Sequence, residues 1–213
     1  QSAMWKQAVG VPGLNYNFRP DTSSFVLWYG QSPVVDTRMS REVKYNYLPT
    51  GQNCIVMIST HEYAQDDAIV LNQSSLDRGL FRAELLITKT DEELKTGSIR
   101  TEKFEIPNKN ETMWMRRSDY SKLDEDGLPK PGEKLEKGSC AIGKTILVGA
   151  NDGKNKKRDL STYVKESDHG RVKYVAVSSN HVTGLRQATV GMIQMRIPEL
   201  GDKFSSRHGQ KGI

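Results

Sequence analysis

Two runs, GRVKYVAVSS (170–179) and QATVGMIQMRIPEL (187–200), alternate apolar and polar residues. That is the two-residue period of a strand with one face buried. Short β-rich apolar runs recur in SSFVLWYG (23–30), in NCIVMIST (53–60), at 82–88 within RGLFRAELLITKT, and in CAIGKTILVG (140–149), which reads as a strand pair. Turn residues bound them. DAIVLNQSSL (67–76) holds one more short apolar run. Only the opening QSAMWKQAVG reads as helical, stopping at Gly10 with Pro12 and Gly13 as breakers beyond it. The expectation is a mostly β chain with few helices (a β or α+β class) and no internal repeat.

The composition shifts near residue 89. Residues 89–137 are dense in Lys, Glu and Asp, and DEDGLPKPGEKLEKG (124–138) is rich in Asp-Gly and Pro-Gly turn pairs. NDGKNKKRD (151–159) reads as an exposed basic loop. The middle of the chain therefore reads as an insertion between two functional ends. A length of 213 residues suits one large domain or two small ones. The net charge of +5 points to a polyanionic partner. Cys54, Cys140 and four histidines show no metal-ligand spacing, so no zinc is expected. A reducing compartment is the simplest account of two scattered cysteines. No apolar run approaches the ~18 residues that a membrane span needs, and no membrane partner is expected. The chain opens on Gln1 without a signal-peptide pattern, and both ends read as cuts.

Two clusters carry chemistry. In GDKFSSRHGQKGI (201–213), Lys203, Arg207 and Lys211 recur every four residues. They share a face on a helix and also in an extended segment. The glycines disfavour the helix, each by about 1 kcal/mol. The run is either a solvated basic loop or a grip on phosphate, and spacing does not separate the two. In HEYAQDDAIVLN (61–72), Asp66 and Asp67 stand between two apolar runs. Adjacent carboxylates repel, and a hard divalent cation relieves that repulsion. The competing reading is a hairpin turn, where Asp bonds its own backbone. Any metal there needs further ligands from elsewhere. Asp77-Arg78 reads as a structural ion pair, and Met192 and Met195 read as core and sheet surface.

GDKFSSRHGQKG resembles the signature of the second-largest subunit of multisubunit DNA-dependent RNA polymerases, the β subunit of bacteria. QSAMWKQAVG, LPTGQNCIVMI, AQDDAIVLNQSSLDRGLFR, YSKLDEDGLPKPG and IPELGDKFSSRHGQKG follow the same family in order and approximate spacing. NQSSLDRGLFR and YSKLDEDGLPKPG look most like the eukaryotic RNA polymerase II form. The resemblance implies that residues 1–82 and 197–213 belong to a hybrid-binding region contributing a double-psi β-barrel. It implies that residues 83–196 form an inserted β-rich wall, the flap of bacteria.

The resemblance also implies roles. Lys203, Lys211 and Arg207 would face the incoming nucleotide. Gln1, Lys6, Gln7, His208 and Gln210 would join them in contacting nucleic acid. Asp66 and Asp67 would lie near the more weakly held of two Mg2+ ions, the first belonging to the largest subunit. The implied partners are that largest subunit, the other polymerase subunits, template DNA, the RNA–DNA hybrid and nucleoside triphosphates. The implied location is the nucleus for a cellular source, or a viral factory, virion or host cytoplasm for a viral one. Trp5 stands where the family usually has glycine, and Asp66 where it often has glutamate. The rival class is a stand-alone β-rich nucleic-acid-binding module, for which the basic balance and Trp28, Tyr29 and Trp114 suffice. A small metal-dependent phosphohydrolase would need a further ligand close to Asp66-Asp67.

Overall fold

The computed structural model describes residues 3–96, 100–151 and 154–213. Two α-helices are present among them, α1 (Arg38–Glu42) and α2 (Gln73–Asp77), one turn each. The strands are β1 (Ser23–Leu27), β2 (Ala83–Glu92), β3 (Lys95–Thr96), β4 (Arg100–Phe104), β5 (Thr112–Met113), β6 (Lys134–Leu135) and β7 (Cys140–Ile142). They continue as β8 (Lys144–Asn151), β9 (Lys154–Asp159), β10 (Thr162–Tyr163), β11 (Gly170–Ser179), β12 (Arg186–Arg196), β13 (Phe204–Ser205) and β14 (Lys211–Gly212). The chain is mostly β, as its apolar pattern requires. No helix among the described residues is long and apolar enough to cross a membrane.

The chain divides into two compact units. Unit 1 holds Gln1–Arg19, Ser24–Leu85 and Met195–Ile213; unit 2 holds Pro20–Ser23 and Leu86–Gln194.

Unit 2 contains the larger core. β11 and β12 pair antiparallel, with Val175 opposite Val190 and Ser179 opposite Arg186. β6 closes the far side of β11. Alternation along β12 turns Ala188, Val190 and Met192 inward, and all three are buried. A bulge between Val172 and Tyr174 brings the Tyr174 ring across Gly191, where a Cβ would lie only 2.1 Å from the ring. Only glycine fits there. A second sheet runs β3-β4-β8-β9-β5, with β5 and β9 parallel. Phe104, Leu135, Ile142 and Cys140 complete the core. Lys144 is also buried; its ammonium donates to Asp91 (2.6 Å) and the Glu92 carbonyl (3.1 Å) and pairs with Glu102 (3.0 Å). Burial alone would lower its pKa, but the bonds to Asp91 and Glu102 prevail and raise it.

Three local expectations change. CAIGKTILVG does form two strands, but they are not each other's partners: β7 pairs with β10, and β8 lies between β4 and β9. NDGKNKKRD is no loop over its described part. β9 takes its register from β8, Thr145 opposite Asp159 and Leu147 opposite Lys157, and Lys157 reaches Glu105 at 2.5 Å. A neighbouring strand with open backbone groups outweighs the low strand propensity of Lys and Asn. NCIVMIST, conversely, is extended without a ladder, and Ile55, Val56, Met57 and Ile58 are exposed. A β-prone run becomes a strand only where another strand satisfies its backbone.

In unit 1, the opening segment is a five-residue 3-10 helix, Ala3–Gln7, in place of an α-helix. Gly10 follows and bridges Val26 of β1, its carbonyl accepting from Leu27 N–H at 2.9 Å. Trp28 N–H donates to the Arg82 carbonyl at 2.8 Å. Asn72 caps α2 through its side chain, 2.9 Å from Ser74 N. Asp77 accepts from Gln73 (3.0 Å), so the expected partner Arg78 is not the one it takes among the described residues.

Candidate functional site

The basic run 201–213 is neither a helix nor one extended segment. It folds back as a hairpin in unit 1, with Phe204 opposite Gly212 and Ser205 opposite Lys211. The turn closes with Gly209 N–H on the Ser206 carbonyl (3.2 Å), and Gly209 has φ of +81°. That conformation suits glycine. The Ser206 hydroxyl donates to Gln210 (3.1 Å) and accepts from His208 N–H (3.2 Å). The Arg207 guanidinium donates to the Val35 carbonyl. Two-residue alternation assigns Lys211 and Ser205 to one face, with Lys203 two residues before Ser205 on the same side. Phe204 and Gly212 take the other. Phe204 packs on Phe81, ring centres 4.9 Å apart.

The hairpin continues into the acid segment. Ile213 N–H donates to the Asp67 carbonyl (3.1 Å), and Ile69 N–H donates to the Ile213 carbonyl (3.2 Å). Gly212 is buried in this join: a Cβ there would sit 2.6 Å from the Asp67 oxygen and 2.7 Å from Ile69. Asp66 and Asp67 form the centre of a turn closed by Ala68 N–H on the Gln65 carbonyl (3.3 Å), with Asp66 at φ +53°. Asp tolerates this left-handed conformation better than most residues. The turn geometry expected from sequence is present, while the flanking strands expected around it are not. The structure therefore joins the segments that carry Asp66 and Asp67 and that carry Lys203 and Lys211, about 140 positions apart in sequence, through backbone bonds.

All of these side chains are exposed, as are Arg207, His208 and Gln210. Among the described residues, Lys203 and Lys211 form no ion pair with either aspartate, so neither charge cancels the other locally. No group of three His, Cys, Asp or Glu side chains among the described residues could hold a metal ion. Lys6 and Gln7 are exposed on the 3-10 helix, and among the described residues no backbone hydrogen bond ties them to the hairpin. Gln1 lies outside the described residues.

Sequence reasoning passed over Gln52. Its amide donates to the carbonyls of Trp28 (2.9 Å) and Tyr29 (3.2 Å), and its oxygen accepts from Phe81 N–H (2.9 Å). It thereby fixes Phe81, the residue on which Phe204 and the hairpin rest. A lone glutamine beside a glycine in LPTGQN gives no sign of this, because its three partners lie 23 to 29 residues away.

The family model for RNA polymerase Rpb2, domain 6, matches residues 1–213. The chain belongs to that family. It is 43% identical over its whole length to DNA-directed RNA polymerase II subunit 2 of Arabidopsis thaliana. It is also 43% identical to DNA-directed RNA polymerase II subunit RPB2 of Schizosaccharomyces pombe. The archaeal subunit Rpo2 of Sulfolobus acidocaldarius is 33% identical, again over the full chain. The chain spans 18% of the two eukaryotic relatives and 19% of the archaeal one. This Rpb2 domain thus corresponds to one part of a second-largest polymerase subunit, as its basic ending and co-linear blocks led one to expect.

Proposed function

We propose that unit 1 of this Rpb2 domain presents preorganised cations to the reacting phosphates during DNA-templated RNA synthesis. The observation that supports the reading is the backbone join of the 203–213 hairpin to the Asp66-Asp67 turn, with the lysines and carboxylates of both segments exposed. In nucleotidyl transfer, the RNA 3′-hydroxyl attacks the α-phosphate and pyrophosphate leaves. Negative charge accumulates on the phosphoryl oxygens and the leaving group. Lys203, Lys211 and Arg207 lower the barrier by meeting that charge with little reorganisation. His208 and Gln210 at the hairpin turn, and Gln1, Lys6 and Gln7 at the opening, contact the nucleic acid.

The donor type at Asp66-Asp67 fits Mg2+, which takes hard oxygen ligands and keeps several waters. The number of donors does not make a site alone, so the remaining ligands would come from water, phosphate oxygens and the largest subunit. When bound, magnesium stabilises charge on the attacking and leaving oxygens. Asp66 and Asp67 would help to hold it.

Unit 2 is assigned to the wall, and unit 1 to the hybrid-binding region. Support comes from the compositional shift near residue 89 and from the division of the chain at Leu85/Leu86 and Gln194/Met195. The partners are the largest and remaining polymerase subunits, template DNA, the RNA–DNA hybrid and nucleoside triphosphates, in a nucleus for a cellular source. Asp67→Asn in the assembled polymerase should slow nucleotide addition and raise the magnesium concentration for half-maximal rate. An unchanged magnesium titration with normal elongation would leave Asp66-Asp67 as a turn and nothing more.

A further inference from the structure

Unit 2 carries a second surface that the phosphate chemistry above does not use. Trp114 follows β5 immediately, is 74% exposed, and holds φ at +59°. A bulky residue in that region is strained, and no burial of the ring offsets the cost. The parallel register of β5 with β9 sets Met113 opposite Arg158. The Arg158 guanidinium lies 4.5 Å from the centre of the Trp114 ring. Two residues on, Arg116 stacks on Tyr163 at 5.1 Å. Arg116 and Tyr163 also line a cavity of about 510 Å3 together with Lys165 and with Lys89 and Lys137, which pair with Asp168 and Glu166 respectively.

Asp159, which follows Arg158, is already engaged. It accepts from Arg116 N–H (3.4 Å), Tyr120 (3.2 Å), Ser161 N–H (2.9 Å) and the Tyr163 hydroxyl. Among the described residues, Arg116, Arg117 and Arg158 form no ion pair, and all three are exposed.

We propose that Trp114, with Arg158, Arg116 and Arg117, is a stacking platform for single-stranded nucleic acid. An exposed indole offers a face to any base, and flanking arginines meet the backbone phosphates while one polarises the ring. Charge favours nucleic acid over a protein partner: Arg158 lies on the ring, Arg116 and Arg117 follow it within three residues, and among the described residues none of the three is paired with an acid. The platform needs nothing from the hairpin in unit 1.

The test uses the 213-residue chain and labelled 15-nucleotide oligo(dT) and oligo(rU), followed by fluorescence anisotropy. Trp114→Ala should weaken binding about tenfold or more, and Trp114→Phe should restore most of it. Arg116→Gln with Arg158→Gln should weaken binding and flatten its salt dependence. In a Trp5→Phe, Trp28→Phe background, either oligonucleotide should quench the remaining Trp114 emission. Equal affinities identify base stacking alone, and a preference for oligo(rU) adds recognition of RNA. Lys203→Ala with Lys211→Ala should leave the quench intact, so the two surfaces succeed or fail separately. Parental affinity in a folded Trp114→Ala chain, as judged by circular dichroism, would overturn the proposal. So would a quench produced by an acidic peptide and by neither oligonucleotide, which would mark a protein-docking surface.

Discussion

Ile142 in unit 2 and Ile55 in unit 1 come from runs of similar character, CAIGKTILVG and NCIVMIST. Ile142 is fully buried, whereas Ile55 is 106% exposed. The same contrast holds for the units as wholes. Unit 2 buries Phe104, Leu135, Ile142, Val190 and Met192, while the buried apolar residues of unit 1 are, among the described residues, Val26, Leu27, Ala83 and Leu85. Hydrophobic content does not account for the difference, because unit 1 is the richer of the two in apolar residues. What differs is the supply of paired strands: β7 has β10 and β12 has β11, whereas 53–60 has no ladder. Unit 2 invests its apolar residues in its own fold. Unit 1 leaves a β-prone segment and a charged hairpin on its surface.

The two cysteines offer the strongest test of that contrast, because one lies in each unit. Cys54 is exposed, and Cys140 is fully buried. Burial pushes the Cys140 thiol up to about 12. Relative to a free cysteine near 8.5, this lowers the thiolate fraction by roughly three thousandfold. With a thiol reagent at neutral pH, Cys54 should be labelled at least a thousandfold faster than Cys140, even though partial burial raises its pKa too. Comparable rates would mean that unit 2 opens readily and that its core is not what the burial indicates.

Truncation sharpens the comparison next. Ile142→Ala should lower unfolding free energy by about 2–5 kcal/mol through lost burial and a cavity. Ile55→Ala should change it by about 0.5 kcal/mol or less. Urea unfolding followed by tryptophan emission measures both. Equal losses would show that 53–60 is packed after all.

The alternating runs that became β11 and β12 were legible because one buried face writes itself into every second residue. The hairpin was harder. Its cations repeat every four positions, which fits a helix face and a strand face alike. The fold-back is set by Gly209 at φ +81° and by the approach of Gly212 to Asp67, and neither shows in a charge pattern. Asp66 and Asp67 could be read as a turn or a metal site, and the backbone join to Ile213 depends on residues about 145 positions away. Gln52 and the β8–β9 pairing were hidden for the same reason. Each depends on partners distant in sequence, and the family resemblance supplied roles without supplying those contacts.

A smaller effect separates the units by pH. Carboxyl groups of unit 2 lie below their usual range, Glu105, Asp159 and Asp168 among them. Burial alone would raise Glu105, but bonds from Lys157 and Thr145 prevail. Burial would likewise raise Asp159, and bonds from Ser161 and Tyr163 hold it down. The bond from Lys89 lowers Asp168. Depressed carboxyl pKa values add stability that is present above the unfolded value near 4 and lost as pH falls through the folded values. The urea midpoint of unit 2 should therefore be level from pH 7 to about 5 and decline below about 4. A midpoint that rose on acidification would contradict those three assignments.

The central claim is that the charges of the unit 1 hairpin serve chemistry and contribute little to the fold. Lys203→Ala and Lys211→Ala test it when each variant is measured twice. Single-nucleotide addition is followed in the assembled polymerase on a preassembled primer–template at saturating substrate, and urea unfolding is followed on the 213-residue chain. A cation that meets developing charge lowers the transition state more than the ground state. The addition rate should therefore fall about a hundredfold for each variant, by the scale of a removed oxyanion donor, while unfolding free energy moves by about 0.5 kcal/mol or less. Parental addition rates in both variants would contradict the account and leave 203–211 a solvated loop.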